Sequence, residues 1–502
     1  MSETTGPSDD GAPDGAGGAT AGAADAAPRP LGPLWTGDEL ERATGGRLSD
    51  AVGAIAGISI DSRTVARDEA FFAIRGERFD GHQFAVSALT AGAACAVVAR
   101  AKLPSLQPGW PYLVVSDSLA ALADAGRAAR DRCAGLVAIA VTGSVGKTGT
   151  KEALRKALSA SGLVHASAAS HNNHWGVPLT LARLPREADF LVSEIGMNHA
   201  GEITPLTRMV RPDIAIVTTV EAVHIEFFES IEGIARAKGE IFEGLAAGGH
   251  AVVNADNPHT PILVELANAR RARITRFGVA PEADVRLLAV AEDEAGSDVS
   301  IDLVGTRFDY RIGQPGRHLV QNSLAVAAAL ALADADVAAG LASLADATAP
   351  RGRGEQTVLS LPGGGTALLV DEAYNANPAS MRAAIAVLGR LRPGEGGRRV
   401  AVLGDMLELG AGGPDWHRGL APDLEAAEVS TVHAAGPLMA HLHGGLPAAL
   451  RGVHAPTAAE LVATVVGDVR PGDVVMVKGS NGSRMSLVVG ALKERFAIAT
   501  DR

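Results

Sequence analysis

Apolar and polar positions along this chain follow two different periods. Short apolar or alternating runs predict strands, and apolar residues spaced three and four apart predict helices. From about residue 34 the two patterns alternate, which is typical of a mostly parallel sheet covered by helices on both faces. The predicted strands lie at residues 55–60, 71–74, 95–99, 136–141, 190–193, 214–219, 251–254, 367–370, 400–403 and 474–477.

Shifts in composition divide the 502 residues into four predicted segments. Residues 1–30 hold six Gly and eight Ala and have no large apolar residue beyond Met1, so we expect a disordered tail. Residues 31–130 predict a small N-terminal α/β domain, whose first helix is capped by Thr36. Residues 131–348 predict a central P-loop ATPase domain with a mostly parallel sheet. Residues 349–502 predict a C-terminal doubly wound, Rossmann-like α/β domain.

A glycine-rich loop connects the strand at 136–141 to a predicted helix. Its spacing is G-x-x-G-K-T, which is shorter than the common phosphate-binding loop. Backbone N–H groups in such a loop, together with a helix N-terminus, favour anions. We expect Lys147 to reach the β- and γ-phosphates of ATP or GTP and the Thr148 hydroxyl to bind Mg²⁺. The predicted phosphate-binding residues are Gly143, Ser144, Val145, Gly146, Lys147, Thr148 and Gly149.

Three further residues of the predicted central domain are candidate site residues. Glu194 ends a strand beside the loop, His224 follows the next strand, and Lys238 lies in an Ala-Lys-Gly-Glu segment. Taken singly, each has an ordinary explanation as a solvated surface residue. A carboxylate at a strand end beside a phosphate loop is, however, a natural metal ligand.

Composition and charge bear on the function and on the location of the protein. The net charge of −12 argues against nucleic-acid binding, which needs clustered cations. Only seven of the 45 basic residues are lysines, so a lysine inside a motif is a candidate for chemistry that arginine cannot perform. Cys95 and Cys133 are expected to be buried thiols in a reducing cytoplasm. We find no secretory signal and no apolar run near the ~18 residues that span a bilayer, so we expect a cytoplasmic protein without membrane insertion.

Several motifs occur together in a specific order. They include NNHWGVP at 172–178, DEAYNANP at 371–378 and KGSNGSRM at 478–485. With these segments the chain resembles the Mur ligases, the ATP-dependent amino-acid-adding enzymes of peptidoglycan synthesis, from about residue 34 to 490. The last two motifs are typical of the F-type members, which join D-alanyl-D-alanine to UDP-N-acetylmuramoyl-tripeptide.

The resemblance implies a nucleotide site and two Mg²⁺ sites. It gives Thr148 and Glu194 to the first Mg²⁺, and His224 with Lys238, carbamylated by CO₂, to the second. Together with Lys147, the residues Glu194, His224 and Lys238 would carry the catalysis. The remaining residues implied for ATP binding are His318 and Asn322 on the adenine side, and Arg353, Asp371, Tyr374 and Asn375 from the third domain.

The same resemblance implies where the two other substrates bind. The uridine diphosphate end would lie against the first domain, and D-alanyl-D-alanine against the third. The implied substrate-binding residues are Ser59, Asp61, Ser62, Arg63, Asn173, Lys478, Ser480 and Arg484.

The implied reaction phosphorylates the substrate carboxylate and then lets the amine displace phosphate. Because water would destroy an acyl phosphate, we expect the third domain to close over the central one, with residues 349–354 as the hinge. We expect a monomer. The alternatives are another Mur-family ligase, adding a diamino acid or glutamate, a phosphate-loop kinase or GTPase, and a non-catalytic nucleotide-binding scaffold. The GTPase alternative lacks an Asn-Lys-x-Asp segment.

Overall fold

A computed structural model describes residues 32–76, 79–168 and 170–498, and the predicted tail at 1–30 lies outside them. Three sheets, of five, nine and seven strands, follow one another along the chain, beside a two-stranded ribbon. The predicted three-domain α/β architecture is confirmed by these sheets and by the solved structures compared below. The domain boundaries near residues 30, 130 and 348 stay a prediction.

The N-terminal sheet has the order β2-β7-β6-β5-β4. Its first helix is capped by Thr36, as predicted: the Thr36 hydroxyl accepts the N–H of Glu39, while the Glu39 carboxylate accepts the N–H of Thr36. The predicted strand at 55–60 is two short strands. The strands are β1 (Trp35–Thr36), β2 (Arg47–Leu48), β3 (Ala54–Ile55), β4 (Gly57–Ser59), β5 (Glu69–Phe72), β6 (Cys95–Ala99) and β7 (Tyr112–Val115). The helices are α1 (Gly37–Thr44), α2 (Ala85–Thr90) and α3 (Ser118–Arg132), with 3-10 turns at Gly81–Phe84 and Arg100–Ser105.

The central sheet has the order β16-β15-β14-β13-β12-β11-β8-β10-β9. It is parallel from β9 to β14, and its apolar strands are buried on both faces. Strands β14–β16 form an antiparallel extension that was not predicted, because β15 and β16 alternate apolar and polar residues and have no continuous apolar run.

The strands of this sheet are β8 (Val137–Thr142), β9 (Val164–Ala166), β10 (Phe190–Glu194), β11 (Ile214–Val217), β12 (His250–Asn254), β13 (Arg273–Gly278), β14 (Val285–Glu292), β15 (Ser297–Leu303) and β16 (Thr306–Ile312). The helices are α4 (Lys147–Leu158), α5 (Gly176–Ala182), α6 (Ile203–Val210), α7 (Ile231–Gly239), α8 (Thr260–Ala269), α9 (Arg317–Leu332) and α10 (Val337–Ala342), with 3-10 turns at Ile225–Phe227, Glu240–Gly244 and Ser343–Asp346.

The C-terminal sheet has the order β21-β20-β19-β22-β18-β17-β23, with five parallel strands and two antiparallel strands at one edge. Separate apolar clusters cover its two faces, as a doubly wound sheet requires. The strands are β17 (Glu355–Ser360), β18 (Thr366–Glu372), β19 (Arg399–Gly404), β20 (Thr431–Ala435), β21 (Arg451–Ala455), β22 (Val474–Lys478) and β23 (Ala497–Ile498). The helices are α11 (Pro378–Arg390), α12 (Gly413–Arg418), α13 (Ala421–Ala426), α14 (Met439–Gly445), α15 (Ala458–Asp468) and α16 (Ser486–Arg495), with 3-10 turns at Gly410–Gly412 and Asn481–Ser483.

Two further predictions concern the cysteines and membrane-spanning segments. Cys95 and Cys133 are buried free thiols, as expected. Among the helices that the structure describes, none has the length and apolar character needed to cross a bilayer.

Candidate active site

A cavity of about 1400 Å³ lies between the central and C-terminal domains, beyond the carboxyl ends of their parallel strands. It brings together most of the residues singled out in the sequence. Those that line it are Ser144, Val145, Gly146, Lys147, Thr148, Gly149, Glu194, His224, His318, Asn322, Arg353, Tyr374, Asn375, Lys478 and Ser480. Those that do not line it are Gly143, Lys238, Asp371, Asn173, Arg484, Ser59, Asp61, Ser62 and Arg63.

The loop between β8 and α4 can be formed only with glycine at two positions. Gly143 has φ of 150°, and a Cβ there would lie 1.9 Å from Thr218 Oγ1. Gly146 has φ of 85°, and its Cβ would lie 2.6 Å from Asn322 Oδ1. Both conformations are ones that residues with a side chain rarely adopt. The glycines of the motif therefore let the loop approach α9 and the end of β11 closely.

Lys147 is the first residue of α4 and folds back over its own loop. Its Nζ donates to the carbonyl of Gly143 at 2.7 Å and lies 3.3 Å from the carbonyl of Ser144. Burial lowers the pKa of Lys147, the Glu194 carboxylate opposes that shift, and Arg353 adds to it. An anion in the cavity would replace the carbonyls as its partner and favour the charged ammonium.

Thr148, Glu194 and Asn172 form a buried chain of hydrogen bonds. The Thr148 hydroxyl donates to Glu194 Oε2 at 2.9 Å, and Asn172 Nδ2 donates to Glu194 Oε1 at 2.7 Å. Asn172 was not among the predicted site residues, although it lies inside the NNHWGVP motif next to the predicted Asn173. Asn173 instead accepts the N–H of Gly176, at the start of α5, at 3.0 Å.

Lys238 lies near the end of α7 and is only 2% exposed. Burial, with a smaller contribution from Lys147, lowers the pKa of Lys238 well below its usual range. Within the described residues its Nζ has no hydrogen bond or ion pair. Because a buried ammonium without a partner is costly, this environment favours the neutral, nucleophilic amine of Lys238.

His224 follows β11 and contacts the C-terminal domain. Its Nδ1 is within hydrogen-bonding distance of Glu408 Oε2, and this contact lowers the pKa of the Glu408 carboxyl. Glu408 lies in the loop after β19 and also lines the cavity. No role for Glu408 was predicted from the sequence, because its partner His224 is 184 positions away.

Arg353 reaches from the start of the C-terminal domain to the central one. Its guanidinium lies 4.1 Å from the centre of the Tyr374 ring and donates to Ser170 Oγ at 3.2 Å. Ser170 Oγ lies 3.4 Å from the hydroxyl of Thr148. Arg353 is therefore linked to the phosphate loop through one side chain.

The C-terminal wall is anchored by Lys478, at the end of β22. Its Nζ donates to Glu372 Oε2 at 3.1 Å and to the carbonyl of Asn375 at 3.0 Å. Asp371 lies behind this wall, where burial raises the pKa of its carboxyl and its Oδ1 accepts the N–H of Ala373. Arg484 is exposed outside the cavity.

His318, at the start of α9, is the predicted adenine-side residue of the central wall. Its side chain is exposed to the cavity, and desolvation by the surrounding protein lowers the pKa of its imidazole. It lies beside Gly316, whose φ of 139° suits glycine and whose Cβ would meet His318 Cε1 at 2.7 Å.

The predicted uridine diphosphate residues lie in the N-terminal domain, away from the cavity. The Arg63 guanidinium forms two hydrogen bonds with the Asp61 carboxylate, at 2.9 and 2.7 Å, and its side chain is 85% exposed. The buried Ser59 hydroxyl donates to the carbonyl of Asp61. This segment is an ordered surface turn that presents one arginine to solvent.

The donors for a metal ion are few. Among the described residues there is no cluster of three or more His, Cys, Asp and Glu side chains that could hold one. The Thr148 hydroxyl and Glu194 carboxylate are oxygen donors, which Mg²⁺ prefers, and Mg²⁺ commonly takes its remaining ligands from phosphates and water. The pair therefore fits a Mg²⁺ that arrives with a nucleotide.

Comparisons with known proteins agree with this geometry. Residues 54–130 match the model of the Mur ligase family catalytic domain, residues 141–330 the Mur ligase middle domain, and residues 356–481 the Mur ligase glutamate ligase domain. The UDP-N-acetylmuramoyl-tripeptide–D-alanyl-D-alanine ligase of Escherichia coli is 34% identical, over 89% of this chain and 96% of the relative. The enzyme of that name from Bacillus subtilis is 33% identical, over 88% and 93%.

Solved structures give the same result. A crystal structure of MurF from Acinetobacter baumannii superposes with a TM-score of 0.78 at 29% identity, covering 92% of this chain and 99% of the other. A MurF ligase from Thermotoga maritima in complex with ADP has a TM-score of 0.71 at 25% identity, covering 88% and 97%. The chain belongs to the Mur ligase family.

Proposed function

We propose that this protein is an ATP-dependent ligase that joins D-alanyl-D-alanine to UDP-N-acetylmuramoyl-tripeptide, giving the pentapeptide precursor of peptidoglycan, ADP and phosphate, in the cytoplasm. One observation carries the proposal. A single cavity places the phosphate loop opposite Tyr374, Asn375 and Lys478, which belong to motifs typical of the F-type ligases. The relatives that share 33–34% identity carry that activity in their names.

The first step would transfer the γ-phosphoryl group of ATP to the terminal carboxylate of the tripeptide. The carboxylate oxygen attacks phosphorus, the bond to the bridging oxygen breaks, and ADP leaves. Lys147 would leave the carbonyl of Gly143 and offset the charge on the transferring oxygens. Thr148 and Glu194 would hold a Mg²⁺, which when bound supplies further positive charge beside the phosphates.

The second step would form the amide. The neutral amine of D-alanyl-D-alanine attacks the acyl carbon and loses one proton, and phosphate leaves from the resulting tetrahedral intermediate with the electron pair of the broken C–O bond. Lys478 and Ser480 line the side of the cavity from which we expect the dipeptide to arrive. Enclosure between the two domains would keep water from the acyl phosphate.

We further propose that Lys238 is carbamylated and, with His224, supports a second Mg²⁺. The neutral amine of Lys238 would attack CO₂ and lose one proton, which gives a carbamate. An ammonium group cannot bind a metal ion, whereas the carbamate is a carboxylate-like oxygen donor. Its burial without a partner supports this role. Carbon-13 NMR of enzyme in labelled bicarbonate should show a carbamate signal that Lys238→Arg lacks. An identical signal in both proteins would contradict the assignment.

The activity itself is tested by phosphate release from ATP and Mg²⁺ with UDP-N-acetylmuramoyl-tripeptide, in the presence and absence of D-alanyl-D-alanine. Replacing the dipeptide by glutamate or a diamino acid distinguishes this ligase from its siblings. We expect release only with the dipeptide. Release that depends on another amine would move the chain to a sibling activity.

A further inference from the structure

The central and C-terminal domains meet at a contact between two loops. The loop after β11, residues 220–228, lies against the loop after β19, residues 404–410. His224 Nδ1 contacts Glu408 Oε2, and the N–H of Glu226 donates to the carbonyl of Glu408 at 3.4 Å. Ile225 packs on the apolar cluster of the C-terminal domain. Side chain, backbone and apolar surface therefore all take part in the contact.

The chemistry of the pair fixes the tautomer of His224. A carboxylate only accepts hydrogen bonds, so Nδ1 must carry the proton that it shares with Glu408. The lone pair of a neutral ring then belongs to Nε2, and the imidazole lines the cavity. Histidines that bind metals in proteins usually donate their other ring N–H to a carboxylate in this way.

The loop that carries Glu408 is rigidly anchored in its own domain. Its residues before Glu408 hydrogen-bond to three different elements. The Asp405 carboxylate accepts the N–H of Met439 at 2.7 Å, His417 Nε2 accepts the N–H of Met406 at 3.0 Å, and Ser480 Oγ accepts the N–H of Leu407 at 3.0 Å. Glu408 therefore moves with the C-terminal domain as one unit.

The backbone on both sides of the contact is strained. His224 has φ of 57° and Glu408 has φ of 62°, both in the left-handed region that disfavours residues with a side chain. Such residues persist where the surroundings impose them, and they concentrate at functional sites. Two such residues contact each other across the domain boundary, which supports a functional role for this contact.

We propose that Glu408 is a positioning residue that orients His224 for its metal from the opposite domain, so that the second Mg²⁺ site is complete only when the C-terminal domain is docked. This inference rests on the proposed function for its metal. Docking of the C-terminal domain would then complete the metal site as well as exclude water from the cavity. Buried His417 also gains a role, as the residue that holds the loop of Glu408.

The test compares Glu408→Ala, Glu408→Gln and the control Glu428→Gln in the full-length protein. Glu428 is also a glutamate in the left-handed region, with φ of 50°, but its side chain is 82% exposed and pairs with Arg399 inside one domain. The first readout is the Mg²⁺ concentration that gives half-maximal phosphate release at saturating substrates. The second is hydrogen exchange of residues 220–228 without substrates.

Glu408→Ala should raise the half-maximal Mg²⁺ concentration about 10- to 100-fold, with a change in the KM for ATP below about 3-fold. Glu408→Gln keeps an oxygen acceptor for the Nδ1 proton and should recover part of the loss. Exchange of 220–228 should accelerate in Glu408→Ala and stay at the wild-type rate in Glu428→Gln. Either a Mg²⁺ requirement within about 2-fold of the control or unchanged exchange in Glu408→Ala would overturn the proposal. If wild-type protein released no phosphate with the proposed substrates, the function would fail, and exchange would still decide the Glu408 contact.

Discussion

The two walls of the cavity are built on different principles. In the central wall, Thr148 and Glu194 are buried and Lys147 is half-buried. All three are hydrogen-bonded within their own domain, around a loop whose glycines permit its shape. In the C-terminal wall, Tyr374 and Asn375 are exposed to the cavity and are supported from behind by Lys478. We therefore expect the central wall to be a preformed anion site, and the C-terminal wall to act only when its domain is docked.

This difference separates two kinds of functional residue. A residue of the central wall acts on a ligand from a fixed position, so its loss should affect the chemistry directly. A residue at the boundary, such as Arg353 or Glu408, contacts the opposite wall, so we expect its loss to act through the docked arrangement of the two domains. The predictions below test that separation, from the largest expected effect to the smallest.

Lys147→Ala should remove the main cation of the preformed wall. We expect kcat to fall on the order of 10³-fold, as for loss of a group that stabilises charge in the transition state. Steady-state phosphate release measures it. Lys493→Ala, which breaks only an ion pair with Glu355 in the C-terminal domain, is the matched control and should stay near wild type. A kcat loss below about 10-fold in Lys147→Ala would contradict the role of the loop.

Adjacent residues Asn172 and Asn173 should behave differently. Asn172→Ala removes a hydrogen bond to the Glu194 carboxylate, of about 1.5–3 kcal/mol, so kcat should fall about 10- to 100-fold. Asn173→Ala removes an acceptor at the start of α5 and should lower the free energy of unfolding by about 1 kcal/mol. Kinetics and urea unfolding of both variants separate these effects. Equal kinetic losses would show that Asn173 also serves the reaction.

Arg353→Ala should weaken the link between the walls. The guanidinium stacks on Tyr374 and reaches Ser170, and a cation–π contact contributes about 0.5–2 kcal/mol, so we expect kcat/KM for ATP to fall about 10-fold. The nearby, exposed Arg351 provides the control variant Arg351→Ala. If the two variants had the same kcat/KM for ATP, Arg353 would not contribute to the nucleotide site.

Protonation of His165, on β9, should lower the free energy of unfolding of the central domain at acid pH. Burial lowers the pKa of His165 to about 4, against about 6.5 in the unfolded chain. The unfolded state then binds the extra proton first, so stability is complete above pH 6.5 and is lost as the pH falls from 6.5 towards 4. The slope for one group is at most about 1.4 kcal/mol per pH unit. Urea unfolding at pH 7 and pH 5 should show a smaller difference for His165→Asn than for wild type. Equal differences would contradict the assignment.

The sequence predicted local features well and distant contacts poorly. The phosphate loop was found because a buried strand, two glycines and Lys147 are contiguous, so local geometry follows from local sequence. The pairing of His224 with Glu408 was not found, because it depends on how two domains meet. Asn172 was missed because the motif offered two asparagines and only their backbone positions decide which faces Glu194. The ribbon β14–β16 was missed because β15 and β16 alternate apolar and polar residues and give no continuous apolar run.

The most direct test of the account is phosphate release by the full-length protein with ATP, Mg²⁺ and UDP-N-acetylmuramoyl-tripeptide. The account predicts that release requires both the tripeptide and D-alanyl-D-alanine, and that the pentapeptide forms in equal amount. Release without the dipeptide, or with glutamate or a diamino acid in its place, would contradict it.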